Sequence, residues 1–205
     1  MCFFYQLNKS AKALEERFVA EVVDKQQNIF FDSQQDVYNG FSHPVMPVIT
    51  NREPAGIRFF EWGLMPSWAK DRKFQDNTLN ARLETLREKP SFKNILGNRC
   101  LIPADGFLEW QWLDPKGTRK TKYLLEIPDS PLFAFAGLWS QWVDPTTGTI
   151  LPTFTIITTE ANELMARIHN TKKRMPVILN PRHEKLWLES GKIEMYNDRL
   201  KATAV

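Results

Sequence analysis

The change in texture at Arg99 restricts this fold more than any other feature. From there the chain is a succession of short apolar segments separated by turn-forming residues. Residues 100–102 read as a short buried strand. Residues 107–112 and 122–127 flank Asp114-Pro115-Lys116-Gly117, and residues 132–143 and 150–158 flank a second turn over 144–148. Asp, Pro and Gly suit the dihedral angles of tight turns, so each pair predicts an antiparallel hairpin.

The first half mixes elements. Residues 2–7, 29–31, 45–49 and 57–62 read as strands, with Asn39-Gly40 in a loop between two of them. Residues 10–23 read as a helix, because Ala11, Leu14, Phe18 and Val22 recur at three- and four-residue spacing. Residues 83–96 are expected to be mostly helical with a break at Pro90, and residues 162–168 helical. Residues 175–179 form a strand, and residues 181–189 a helix with Pro in its first turn. No repeat or linker divides the chain. The expectation is one α+β domain over residues 1–205, a mostly antiparallel, barrel-like sheet with flanking helices.

Composition bounds the function. The 205 residues suffice for one sizeable core, and no apolar run is long enough to cross a membrane. Neither a secretory signal nor metal-ligand spacing is visible. The only cysteines are Cys2 and Cys100, which fits a reducing, cytoplasmic setting. No metal or organic cofactor is expected, and a monomer is the default. The net charge of +3 permits a nucleic-acid partner without demanding one, and seven Trp and fourteen Phe offer some rings for base stacking.

Met1-Cys2 is the chemically pointed stretch. Cysteine is small enough for the initiator Met1 to be trimmed, which would leave a thiol and an α-amine on adjacent carbons. A neutral amine attacks an aldehyde to give an imine. The neighbouring thiol then closes on the imine carbon to form a five-membered thiazolidine. Other groups admit two readings each. Asn80 and Arg82 precede an expected helix, where they either hold an anion or serve as a cap and a solvated cation. Glu109 lies between Leu108 and Trp110. It is either a desolvated acid/base or a residue on the solvent face, and sharing a face with Phe107 favours burial. His169, before Asn170-Thr171-Lys172-Lys173-Arg174, is a proton shuttle beside a phosphate-binding loop or a helix C-cap. Trp68, in a Pro/Gly turn followed by Lys70, is a stacking residue or a core lid. His43 and His183 are expected at the surface.

Together these segments resemble the SRAP family, the SOS response-associated peptidases or abasic-site processing proteins. The resemblance is carried by Cys2, residues 62–70, Asn80-Ala81-Arg82 with Glu84-Thr85, residues 99–107 with Glu109-Trp110, residues 135–139, and His169 with Arg174-Met175-Pro176. It implies binding of single-stranded DNA and a covalent thiazolidine crosslink between Cys2 and the ring-opened aldehyde of an abasic site. It assigns Cys2 as nucleophile, Asn80 to positioning, Glu109 to acid/base work and His169 to the deoxyribose oxygens and proton shuttling. Arg82 and Arg174 would contact phosphates and Trp68 would stack on DNA, with Lys172 and Lys173 adding charge. Removal of Met1 by self-processing and a lyase side reaction also follow from it. Two departures stand out. Phe3-Phe4 replaces the usual Gly-Arg after the nucleophile, and residues 170–173 separate His169 from Arg174 where one residue is usual. An N-terminal-nucleophile amide hydrolase built on Cys2 and a non-covalent single-strand-binding module are the competing readings.

Overall fold

The computed structural model describes residues 2–24, 26 and 37–205. Thirteen strands are formed among them: β1 (Phe4–Gln6), β2 (Glu21–Val22), β3 (Val37–Asn39), β4 (Val45–Thr50), β5 (Glu53–Trp62), β6 (Asn80–Arg82), β7 (Arg99–Ala104), β8 (Gly106–Trp112), β9 (Lys120–Glu126), β10 (Phe133–Val143), β11 (Ile150–Glu160), β12 (Arg174–Pro176) and β13 (Lys201–Ala204). Three α-helices join them: α1 (Ala11–Phe18), α2 (Glu163–Ile168) and α3 (Glu184–Ser190).

The expected barrel is present. Strands β5, β4, β7, β10 and β11 pair antiparallel in that order. A short parallel pairing of β11 with β5, Thr153 opposite Glu61 and Phe154 opposite Trp62, then closes the ring of five. Strands β6 and β12 add to the same sheet through β11. A second sheet, ordered β13-β9-β8-β1-β3, stands beside the barrel. Alternation along β1 and β8 sends Tyr5 and Phe107 inward, where both are fully buried. The Tyr5 ring lies 5.1 Å from Trp62 and 5.8 Å from Phe135, centroid to centroid. Each such buried ring contributes about 3 kcal/mol of transfer free energy. The barrel wall is tightest at Gly137: a Cβ there would come within 2.8 Å of the Thr155 carbonyl oxygen and 2.9 Å of Cys100 Sγ.

Buried indole N–H groups need acceptors, and four tryptophans have them. Trp62 donates to Leu79 O at 2.9 Å, Trp139 to Asn51 Oδ1 at 3.2 Å, Trp142 to Ala69 O at 2.8 Å and Trp187 to Cys100 O at 3.0 Å. Trp68, Trp110 and Trp112 are at least partly exposed.

Several elements differ from expectation. The helix expected over 10–23 stops at Phe18, where Val19 turns left-handed (φ 51°) and frees Glu21–Val22 to pair with β5. Val22 is buried because it is in a strand, although its spacing mimics a helix. Residues 83–96 are not a helix: Leu83–Thr85 makes one 3-10 turn and irregular turns follow. Asn80 and Arg82 therefore lie on a strand, with no α-helix behind them to hold an anion. The strand expected over 175–179 is β12 followed by isolated bridges at Ile178 and Leu179. The segment 181–189 opens as a 3-10 turn before α3. The strand expected over 29–31, like Met1, lies outside the described residues. Among the described residues no helix is long and apolar enough to cross a membrane. No group of three or more His, Cys, Asp or Glu side chains among them could hold a metal ion.

Candidate active site

The N-terminal strand is pinned. Phe4 sits opposite Asn39 on one side and Leu108 on the other, and the Phe3 carbonyl accepts from Gly40 N at 2.8 Å. This holds Cys2 at the end of β1, with 0% of it exposed. Across the chain, Asn80 Nδ2 donates to the Cys2 carbonyl at 2.9 Å. Asn80 can reach because β6 pairs with β11 from Asn80–Ile156 to Arg82–Thr158. Its Oδ1 is buried and has no hydrogen-bond partner among the described residues.

Glu109 is 5% exposed, so β8 turns it inward beside Phe107 and away from the solvent face. Desolvation pushes its carboxyl up to about 7, against the opposing pull of the positive chain terminus. Burial pushes the Cys2 thiol well above its usual range, and the charge of Glu109 adds to the effect, so the two groups lie within electrostatic reach.

His169 caps α2, its backbone N–H donating to Met165 O at 2.7 Å. Its Nδ1 lies 2.9 Å from the Arg174 carbonyl oxygen and 3.2 Å from Arg174 N. Lys173 (φ 48°) makes the turn that brings Arg174 back, so the longer loop still delivers both residues to one place. Burial, then the positive chain terminus, lowers His169 to about 4, leaving a neutral imidazole near pH 7. Helix α2 is tied to the strand that carries Glu109, because Gln111 Nε2 donates to Arg167 O at 3.1 Å. Cys2 thus precedes β1, with Asn80 of β6 bonded to it, Glu109 of β8 within electrostatic reach of it and His169 at the end of α2.

The expected phosphate contacts divide. Arg82, Lys172 and Lys173 are exposed. Arg174 is buried, its guanidinium held by Glu84 Oε1 at 3.0 Å, Glu84 Oε2 at 2.9 Å and Thr158 O at 2.8 Å. Its charge is spent inside the protein, and it buttresses His169 rather than facing solvent. Trp68 is 50% exposed and meets Phe74 edge-on at 5.0 Å, so it is no core lid. His43 is half-buried instead of on the surface, with Nδ1 2.8 Å from Trp62 O and Nε2 3.0 Å from Asp76 Oδ1.

Some neighbours of the site escape sequence reasoning. Tyr5 is fully buried, its hydroxyl has no hydrogen-bond partner among the described residues, and burial, then Tyr38 and then Cys2, raise its phenol above the usual range. Phe3 packs on Phe41 at 4.9 Å and Phe4 on Trp110 at 5.0 Å, so the two unusual aromatics are built into the rim. Glu84 is the counter-ion that decides where Arg174 goes. Of these, only the inward parity of Tyr5 could have been read from strand alternation.

The model of the SOS response associated peptidase (SRAP) family matches residues 1–203. This chain belongs to the SRAP family. Among its SRAP relatives, the abasic site processing protein YoqW of Bacillus subtilis (strain 168) is 48% identical over 148 residues, 72% of this chain and 63% of that protein. The abasic site processing protein HMCES of Pongo abelii is 36% identical over 162 residues, 64% of this chain and 45% of that protein. The match thus spans less than two thirds of these curated relatives. A crystal structure of a Bacteroides thetaiotaomicron protein superposes with a TM-score of 0.88 at 31% identity, covering 100% of this chain and 92% of that one. The family match covers all but the last two residues of the chain.

Proposed function

We propose that this protein processes abasic sites in single-stranded DNA by covalent capture at Cys2. The observation that carries the reading is the pairing of a buried, anchored Cys2 with a carboxyl poised at about 7. A general acid/base works best when its pKa lies near the operating pH. Once Met1 is gone, the α-amine of Cys2 attacks the ring-opened aldehyde at C1′ and forms a carbinolamine. Loss of one water, with Glu109 as the proton donor, gives the imine. The thiol then adds to the imine carbon while its proton passes to the nitrogen through Glu109. The thiazolidine product equals protein plus DNA minus one water. In the tautomer whose Nδ1–H donates to the Arg174 carbonyl, His169 carries a lone pair on Nε2 that accepts a proton from the deoxyribose hydroxyl during ring opening.

The raised thiol favours this order of steps. A buried thiol is a poor source of thiolate, so the amine reacts first and the sulfur second. An amide hydrolase working through a thiolate requires the opposite environment. Arg82, Lys172 and Lys173 supply exposed charge for phosphates and Trp68 a ring for a base. Intact mass after incubation with an oligonucleotide carrying one abasic site tests the proposal. A denaturation-stable adduct lighter by one water than the sum of its parts is expected, absent in Cys2→Ala. Turnover of an amide substrate without any DNA adduct overturns it.

A further inference from the structure

The charge and the rings beyond the Cys2 end of the second sheet are organised. Strands β8 and β9 pair with Trp112 opposite Lys120 and Trp110 opposite Lys122, so all four side chains share the face turned away from Tyr5 and Glu109. The Lys120 ammonium lies 4.9 Å from the centroid of the Trp112 ring. The other lysine-bearing element is tied to the same tryptophan. Asn170 Oδ1 accepts from Trp112 N at 3.1 Å, and Asn170 Nδ2 donates to Trp112 O at 2.8 Å. The lengthened loop 170–173, with exposed Lys172 and Lys173, is thereby clamped against the edge of β8 at Trp112. Trp112 is partly exposed. The nearby carboxylate of Asp114 is occupied within its own turn, accepting from Arg119 N at 2.6 Å and Thr118 Oγ1 at 2.9 Å.

The Trp112 ring lies over the turn at Gly117, where a Cβ would come within 2.6 Å of it, but that packing does not account for the lysines gathered around it. The four core tryptophans all have an acceptor for the indole N–H, whereas no hydrogen bond to the Trp112 indole is made among the described residues. None of the four lysines is ion-paired with a carboxylate among the described residues. Rings interleaved with unpaired cations on a strand edge suit a single strand of nucleic acid, because every base has a face to stack and every step carries a phosphate.

We propose that Trp112, clamped by Asn170 and flanked by Lys120, Lys122, Lys172 and Lys173, is a second subsite for single-stranded DNA that stacks on a base beyond the nucleotide held at Cys2. The inference rests on the reading of Cys2 as a site for single-stranded DNA. Residues two apart on a strand are about 6.7 Å apart, so Trp110 and Trp112 match bases of a stretched strand and not the roughly 3.4 Å step of a duplex. A base arriving on the ring displaces the exposed Lys120 ammonium onto the neighbouring phosphate. The loop that lengthens the His169–Arg174 spacing thus gains a purpose: it delivers two cations to a flanking nucleotide.

The test uses the full chain, undamaged oligothymidylates of about 4 and about 16 nucleotides, and matched oligonucleotides with one abasic site. Trp112→Ala is expected to weaken binding of the longer undamaged strand about tenfold. The change should spare the shorter strand and the final adduct yield at saturating abasic DNA. Trp112→Phe should restore most of the affinity. Lys120→Glu with Lys122→Glu should weaken binding and flatten its salt dependence. Variants that bind the longer strand like the unaltered protein, while still forming the adduct, overturn the subsite alone. Variants that weaken binding when no protein ever forms an adduct support the subsite and overturn the capture reading. Equal weakening on a duplex of the same length overturns the stacking assignment.

Discussion

Asn80 Nδ2 donates to the Cys2 carbonyl at 2.9 Å, joining residues 78 positions apart in the chain. The bond ties the terminal residue to a strand of the barrel, so the reactive groups of Cys2 are held by the fold and not left on a fraying end.

Asn80→Ala is therefore expected to cost stability of about 1 kcal/mol, the net worth of one hydrogen bond, but crosslinking rate by about 10²-fold. Thermal melting and single-turnover adduct formation measure the two. A rate loss no larger than the stability loss would reduce Asn80 to a structural role.

Glu109 is expected to make the proposed capture pH-dependent. Its folded pKa is raised from 4.5 to about 7, so its stabilising contribution is complete below 4.5 and lost as pH rises through about 7. Up to about 3 kcal/mol of stability is at stake. Glu109→Gln should melt with less dependence on pH between 5 and 8 than the unaltered protein. It should also slow capture by about 10²-fold or more and abolish the inflection near 7 in the rate profile.

His169 behaves in the opposite sense. Its folded pKa is lowered from 6.5 to about 4, so the fold binds fewer protons than the unfolded chain. Its contribution is present above 6.5 and lost as pH falls towards 4. Proton NMR should show that the His169 imidazole, assigned by the loss of its signal in His169→Ala, does not titrate between pH 6 and 7.

Arg174 and Arg82 should separate in one experiment. Arg174→Ala leaves the Thr158 carbonyl without its partner and takes the ion pair from Glu84, which still accepts from Thr159 and Glu160, a loss of about 1–2 kcal/mol in stability. It should leave the salt dependence of DNA binding nearly unchanged. Arg82→Ala should barely move the melting temperature and should lower the slope of log affinity against log salt by roughly 0.7. The reverse pattern would return Arg174 to the DNA surface.

Much of this was legible in the sequence because strand alternation is a local signal. The two hairpins from β8 to β11 follow from their turns, and the burial of Glu109 follows from its parity with Phe107. Val22 and the 83–96 segment were misread for a common reason. Apolar spacing of three or four residues also arises where a chain leaves a helix for a strand, as the parallel pairing of β2 with β5 shows for Val22, and where it runs through successive turns, as it does after Leu83. The pairing of Arg174 with Glu84 left no sequence signal because the two lie 90 positions apart. The Asn170 clamp on Trp112 spans 58 positions and leaves no local trace.

The most direct test is the N-terminal peptide of the adduct after the DNA has been trimmed to a single sugar. The account predicts a peptide that begins at Cys2, carries the abasic remnant, and resists thiol alkylation while its terminal nitrogen reacts as a secondary amine, because the thiazolidine engages both groups. A remnant on Cys100 or a lysine, a peptide that still begins with Met1, or a Cys2 thiol that remains alkylatable would contradict it.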